Sequence, residues 1–270
     1  MSDVIRLKQH QYIHVLNNNT NVTTLHVGPK VFTRQEHEKV LFAPKSCVQI
    51  PPRCYCRIRN PCVRDDAGEP VVDEYGQVRL RYGDEEIRFE QEPFPLMPGE
   101  IVIEDGEPAV KKLSVIASNT ALKLVAFRDF VDESGVARIA GDEWIFEGPN
   151  TYIPRVEVDV VETVKATIIR PNSALKLRAK KPFVDRLGVA HEVGEEWLVT
   201  SEGAYLPTVE EEVLGFVEAK VLTDKNAIYV EALRSFKDVF GIDRKAGEQW
   251  LITNRDAATH IPGVYEKIRA

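Results

Sequence analysis

Three features of the sequence predict an all-β chain, an extended rod of about five tandem small antiparallel β-sheet domains. They are a 53-residue internal repeat, apolar residues alternating with charged ones, and turn signals spread along the whole length. The repeat is set by Trp144, Trp197 and Trp250, the only three tryptophans in the chain. Each closes a similar phrase: Gly141-Asp142-Glu143-Trp144, Gly194-Glu195-Glu196-Trp197 and Gly247-Glu248-Gln249-Trp250. Ala121-Leu122, Ala174-Leu175 and Ala227-Ile228 keep the same step, as do Phe130, Phe183 and Phe236, then Asp132, Asp185 and Asp238, then Gly135, Gly188 and Gly241. Each unit closes on Ile153-Pro154, Leu206-Pro207 or Ile261-Pro262, the last arriving two residues late, which places a small insertion around Arg255 to Thr259.

Upstream the pattern weakens. Val72-Asp73-Glu74-Tyr75-Gly76 echoes Val131-Asp132-Glu133-Ser134-Gly135, Gly83-Asp84-Glu85-Glu86 echoes the tryptophan phrase with Glu in place of Trp, and Val27-Gly28-Pro29 resembles Glu147-Gly148-Pro149. Five modules follow, at 1–56, 57–112, 113–165, 166–218 and 219–270. In the fourth, Leu175, Leu177 and Ala179 alternate with Lys176, Arg178 and Lys180, the period of a strand with one face inward. Asp185-Arg186-Leu187-Gly188 reads as a type I turn, with Asp holding the backbone and Gly tolerating positive φ. Further strands are expected at 189–193 and 197–200, then a corner at 203–207 and a long stretch at 209–222. One such module buries only about 60% of its unfolded surface, so neighbours must support one another. Trp144, Trp197 and Trp250 are the expected anchors of the module cores.

Repetition points away from catalysis, which needs one unlike cluster of residues. No phosphate-binding glycine loop, dinucleotide fingerprint, zinc-protease helix or nucleophile elbow is present. No enzyme activity, cofactor or metal is therefore expected. Cys47, Cys54, Cys56 and Cys62 crowd one region with spacings unlike zinc ligands or a disulfide framework, so reduced thiols are expected. The chain lacks an apolar run of about 18 residues and opens without the basic-then-apolar order of a signal peptide, so a soluble, intracellular protein is expected. A net charge of −7 argues against general attraction to nucleic acid or an anionic membrane. Arg53, Arg57, Arg59 and Arg64 around Tyr55 read as a solvated strand face.

Charge in the fourth module is segregated along the sequence. Arg170, Lys176, Arg178, Lys180 and Lys181 precede an acidic series that includes Glu195, Glu196, Glu210, Glu211 and Glu212. If identical chains stood in register, one basic stripe could face its neighbour's acidic stripe and favour lateral alignment.

Several long phrases resemble the amino-terminal repeats of the major vault protein family: Tyr12-Ile13-His14-Val15-Leu16, Val40-Leu41-Phe42-Ala43-Pro44, Pro93-Phe94-Pro95-Leu96, Gly141 through Pro149, and Gly194 through Thr200. The resemblance covers nearly the whole chain. It implies a structural shell protein, a stave standing beside many copies of itself in the wall of a hollow cytoplasmic ribonucleoprotein particle, with a nuclear fraction and scaffold or transport roles. It also implies that the first repeats lie where two half-shells meet, making Val4, Ile5, Leu7, Val40, Leu41 and Phe42 candidate half-shell contacts. Implied partners are the chain itself and the vault poly(ADP-ribose) polymerase on the repeat region. Vault RNA and telomerase-associated protein belong to the whole particle and are not expected on this segment. The alternative is a β-repeat adaptor that binds a protein partner without building a shell.

Overall fold

The computed structural model describes residues 4–104, 106 and 108–269, and every regular element among them is a β-strand. All the paired strands whose register is defined run antiparallel. Among the described residues no helix is long and apolar enough to cross a membrane. The chain divides into two compact units, Met1–Ser114 with Thr151–Val158, and Val115–Asn150 with Asp159–Ala270.

The first unit holds two four-stranded sheets beside the two-stranded pair of Val4–Leu7 with Lys30–Thr33. In one, the strand Gln11–Asn17 pairs with Val22–Val27 on one side and with Glu38–Val40 and Lys45–Ser46 on the other. Its core is Leu7, Ile13, Val15 and Phe32, against which Ile5 and Val40 pack. In the second sheet, the strand Val48–Arg59 pairs with Glu85–Phe94, Ile101–Val102 and Val110–Lys112 over a core of Ile50, Cys54, Cys56 and Ile58. That strand runs unbroken through position 56, so the module join expected there falls inside a strand. Pro51-Pro52 and Arg53, the latter at positive φ, are taken up within the strand as an irregularity between Ile50 and Tyr55. The two sheets are tied by His14 Nε2 donating to the Leu96 carbonyl (2.8 Å) and by the Thr23 N–H donating to Gln77 Oε1 (2.8 Å).

In the second unit one plan recurs. The strand Ser173–Ala179 lies between Glu196–Val199 and Glu211–Glu218, and Ile228–Ala232 lies between Gln249–Ile252 and Glu266–Arg269. Thr120–Ala126 pairs with Glu143–Glu147 in the same register, Leu124 opposite Trp144 as Leu177 is opposite Trp197 and Val230 opposite Trp250. The alternation read from sequence is realised: Leu175, Leu177 and Ala179 are buried while Lys176 and Arg178 stand on the other, half-buried face. Two expectations need revision. The corner at 203–207 contains a short strand, Gly203–Tyr205, paired with Thr167–Ile169, because three residues are too few to display a period. The long stretch at 209–222 is a strand, Glu211–Glu218, then a separate two-residue strand, Lys220–Val221. Opposite Lys176 and Leu177 the longer strand bulges, pairing through Gly215 and Val213 and leaving Leu214 out, with Gly215 at φ 139°.

The weak echo between the first and third modules also has a backbone basis. A Cβ at Gly28 would stand 2.1 Å from the Lys8 carbonyl oxygen, and one at Gly148 would stand 2.2 Å from that of Ala117. Both phrases thus need glycine for the same close backbone approach.

Each of these cores is small, so single apolar side chains weigh heavily in it. Leu177 is fully buried. Leu177→Ala is expected to lower stability by about 2–5 kcal/mol, measured by urea denaturation followed by tryptophan fluorescence.

Candidate functional site

The feature that recurs in the second unit is a clasp assembled from one turn, one hairpin and one strand. Asp132 Oδ1 accepts the N–H groups of Ser134 and Val136 (both 2.9 Å), Asp185 Oδ1 those of Leu187 and Val189 (both 2.8 Å), and Asp238 Oδ1 those of Phe240 (3.0 Å) and Ile242 (2.8 Å). Such a side-chain cap substitutes for backbone partners and fixes the turn, with Gly135, Gly188 and Gly241 at φ near 80° completing it. Asp65 and Asp73 cap two turns of the first unit in the same way.

The second carboxylate oxygen faces the hairpin's return strand. Asp132 Oδ2 accepts from Arg138 Nε (3.2 Å), Asp185 Oδ2 from His191 Nε2 (3.2 Å), and Asp238 Oδ2 from Arg244 Nε (2.8 Å). The same three side chains cover the indoles. The guanidinium carbon of Arg138 lies 4.5 Å from the Trp144 ring centroid and that of Arg244 lies 4.3 Å from Trp250. The shorter His191 instead lays its ring flat on Trp197, with centroids 3.9 Å apart and planes 17° apart. Phe130, Phe183 and Phe236 approach the same indoles at 6.2, 6.0 and 6.4 Å. Each hairpin is therefore held on its sheet through one carboxylate, one cation or imidazole, and one indole face.

Electrostatics follow the geometry. The Val136 N–H, helped by Arg138 and the Ser134 N–H, holds the Asp132 carboxyl below the usual carboxylate range, and the Val189 N–H does the same for Asp185 with His191 and the Leu187 N–H. Burial alone would raise the Asp238 carboxyl, but the Ile242 N–H and Arg244 outweigh it and the group is lowered.

A second recurring device is a buried glutamate at the closing corner. Glu100 accepts from Arg88 Nη2 (2.6 Å) and from the N–H groups of Cys62 and Met97 (both 2.9 Å). Glu211 accepts from the Tyr205 hydroxyl (2.6 Å) and the Thr208 N–H (2.8 Å), and Glu266 from His260 Nε2 (2.6 Å) and the Gly263 N–H (3.0 Å). In all three the carboxylate caps the N–H three residues upstream. Burial would raise the Glu100 carboxyl, yet its Arg88 and backbone hydrogen bonds hold it below the normal range. Burial, then the hydrogen bond to Glu211, raises the Tyr205 hydroxyl.

The sequence-predicted residues divide between core and surface. Trp144, Trp197 and Trp250 are half-buried, with Trp197 and Trp250 packed on the cores of their modules. Trp144 also lines a cleft of about 500 Å³ with Thr208, Val209 and Glu210 of the next module, across which Arg186 Nη2 donates to Glu147 (2.5 Å). Of the half-shell candidates, Leu7 is a core residue, Ile5 and Val40 pack on that core, and only Val4 and Leu41 are exposed. Phe42 is half-buried against Tyr12 and His14 with the Lys45 ammonium 4.6 Å above its ring.

Most members of the candidate charge stripes have partners within the chain. Antiparallel pairing sets Arg178 opposite both Glu196 and Glu212, giving Arg178–Glu196 (2.7 Å), Lys176–Glu196 (2.6 Å) and Arg178–Glu212 (3.6 Å), while Lys181 meets Glu210 (3.2 Å). Glu211 is buried at its corner and Glu195 caps the Glu192 N–H, and the exposed basic members of the stripe are Arg170, Lys180 and Lys181. Of the cysteines, Cys54, Cys56 and Cys62 are buried and Cys47 half-buried; burial pushes the Cys56 thiol up to about 11. Sequence reading missed Arg138, His191, Arg244, Glu100 and Glu266 as members of these devices. The signal was present as two six-residue steps, Asp to Arg or His to Trp, inside each repeat.

Modules of one plan, each carrying the same clasp, define a tandem β-repeat protein. Comparison with known proteins identifies the repeat. A family model described as Major Vault Protein repeat domain matches residues 47–105, and a second with the same description matches 114–155, 167–208 and 220–263. The chain belongs to the major vault protein repeat family. It is 58% identical to major vault protein beta of Dictyostelium discoideum over 99% of its length, 53% identical to major vault protein of Trypanosoma cruzi over 99%, and 52% identical to that of Homo sapiens over 98%. It spans 32%, 32% and 29% of those relatives, about a third of their length.

Two outcomes follow from the burial of these carboxylates. The Asp238 side chain is fully buried, whereas that of Asp132 keeps some solvent contact. Arg244→Ala, which strands the Asp238 charge, is expected to cost about 3 kcal/mol, against about 1 kcal/mol for Arg138→Ala, compared by urea denaturation. Glu100 is lowered on folding, so its contribution is complete above the unfolded glutamate value of about 4.3 and is lost as the pH falls through the lower folded value. An acid titration of stability should show this loss in the wild type, and Glu100→Gln should flatten that part of the curve.

Proposed function

We propose that this chain is a wall element of the vault particle, a structural protein whose output is ordered side-by-side assembly of many copies and not bond-making chemistry. The recurrence of one clasped module through the second unit carries the reading, because a repeated, internally braced surface suits a building part. Family membership supports it. A braced module needs little further ordering when a neighbour docks, which limits the entropy lost on assembly. In this reading Val4, Leu41 and the half-buried Phe42 remain the candidates for contact between half-shells. Repeats three to five offer a docking surface for the vault poly(ADP-ribose) polymerase. Vault RNA and telomerase-associated protein join the particle elsewhere, and scaffold or transport roles belong to the assembled particle. The protein acts in the cytoplasm, with a nuclear fraction.

Electron microscopy of the protein expressed from its complete gene tests this directly. Hollow barrel-shaped particles are the expected outcome; dispersed single molecules would contradict it and favour an adaptor.

A further inference from the structure

The clasped hairpins of the second unit carry apolar side chains on their outer surfaces. Val136, Val189 and Ile242, at equivalent positions of the three modules, are 47%, 50% and 49% exposed. Each hairpin adds a further exposed apolar residue at a position of its own, Ile139, Leu187 and Val239, at 64%, 87% and 70%. On the inner side, Phe130, Phe183 and Phe236 approach the indoles and the Asp-to-Arg or Asp-to-His bond closes over them, so each hairpin is fixed while its apolar residues face water. Single exposed apolar residues are ordinary, but exposed apolar residues on the same hairpin of three successive modules, one of them at an equivalent position each time, are not. Charge offers little alternative on the neighbouring sheet face, since Lys176, Arg178 and Lys181 already have carboxylate partners within the chain.

We propose that the three hairpins 130–139, 183–193 and 236–244 form the lateral contact, seated on a second copy of this chain. The occupant follows from the spacing. An apolar cluster repeated once per module is matched along its length by a partner with the same module repeat, and another copy standing in parallel has it. The outer apolar residues of the hairpins are then covered in the assembly, while the clasp keeps them pre-set for contact. This inference rests on the side-by-side reading given above and adds the surface that performs it.

The test uses the protein expressed from its complete gene, with Leu187→Lys and Val239→Lys combined. These are exposed turn positions, so the thermal unfolding midpoint should stay at the wild-type value. Particle formation by electron microscopy should be lost or reduced at least tenfold. In parallel, a photo-crosslinking amino acid at position 187 should join two copies, with the partner peptide identified by mass spectrometry. Normal particles from the doubly substituted protein, or no crosslink between copies from position 187, would overturn the hairpin contact while leaving side-by-side assembly intact. Wild-type protein that forms no particles would overturn both.

Discussion

The structure of the second unit depends on one carboxylate that does two jobs. One oxygen of Asp132, Asp185 or Asp238 organises the turn that begins the hairpin, and the other holds the side chain six residues later against the indole a further six residues on. A hairpin of two-residue strands has too few backbone hydrogen bonds to persist alone. Fastened at both ends, it becomes part of the module. The tryptophan is thereby explained as well: it is half-buried because its outer face is the seat for Arg or His, and in Trp197 and Trp250 the other side meets the module core.

The three clasps are variations on one geometry. Arg138 and Arg244 reach over the indole with a long arm, while His191 achieves the same cover by stacking, with Phe183 a further 5.5 Å away. Burial differs more than geometry. The Asp238 carboxylate is fully enclosed and paired with an Arg that also meets Glu248 (2.9 Å), so the fifth module relies most on its ion pair. The buried corner glutamates act in a similar spirit, turning one side chain into a cap for a backbone N–H and a partner for a distant donor.

Much of this was legible in the sequence. The 53-residue step, the alternation at Leu175 to Ala179 and the Asp-x-x-Gly turns each report a local constraint, and local constraints can be read residue by residue. What was not legible depends on pairing. Lys176 and Arg178 precede Glu196 and Glu212 by many residues, and only the antiparallel register brings them within bonding distance, so a segregated charge pattern in sequence becomes a largely neutralised one in space. The same holds for Leu7, which looked available for a partner near the start of the chain but lies in the strand paired with Lys30–Thr33, opposite Lys30 in the ladder and in the core with Phe32. The strand Val48–Arg59 shows no clean period because it is irregular between Ile50 and Tyr55, where Pro51-Pro52 and Arg53 at positive φ interrupt the alternation.

If the clasp is what fixes each hairpin, opening it should release that hairpin and leave its sheet intact. Native-state hydrogen exchange on Arg244→Ala measures this at single amides. The account predicts that the N–H groups of Asp238, Phe240, Gly241 and Ile242 lose protection by at least tenfold, while those of the central strand Ile228–Ala232 change only by the global loss of stability. Unchanged protection in the hairpin, or equal loss across the hairpin and the strand beyond that global change, would contradict it.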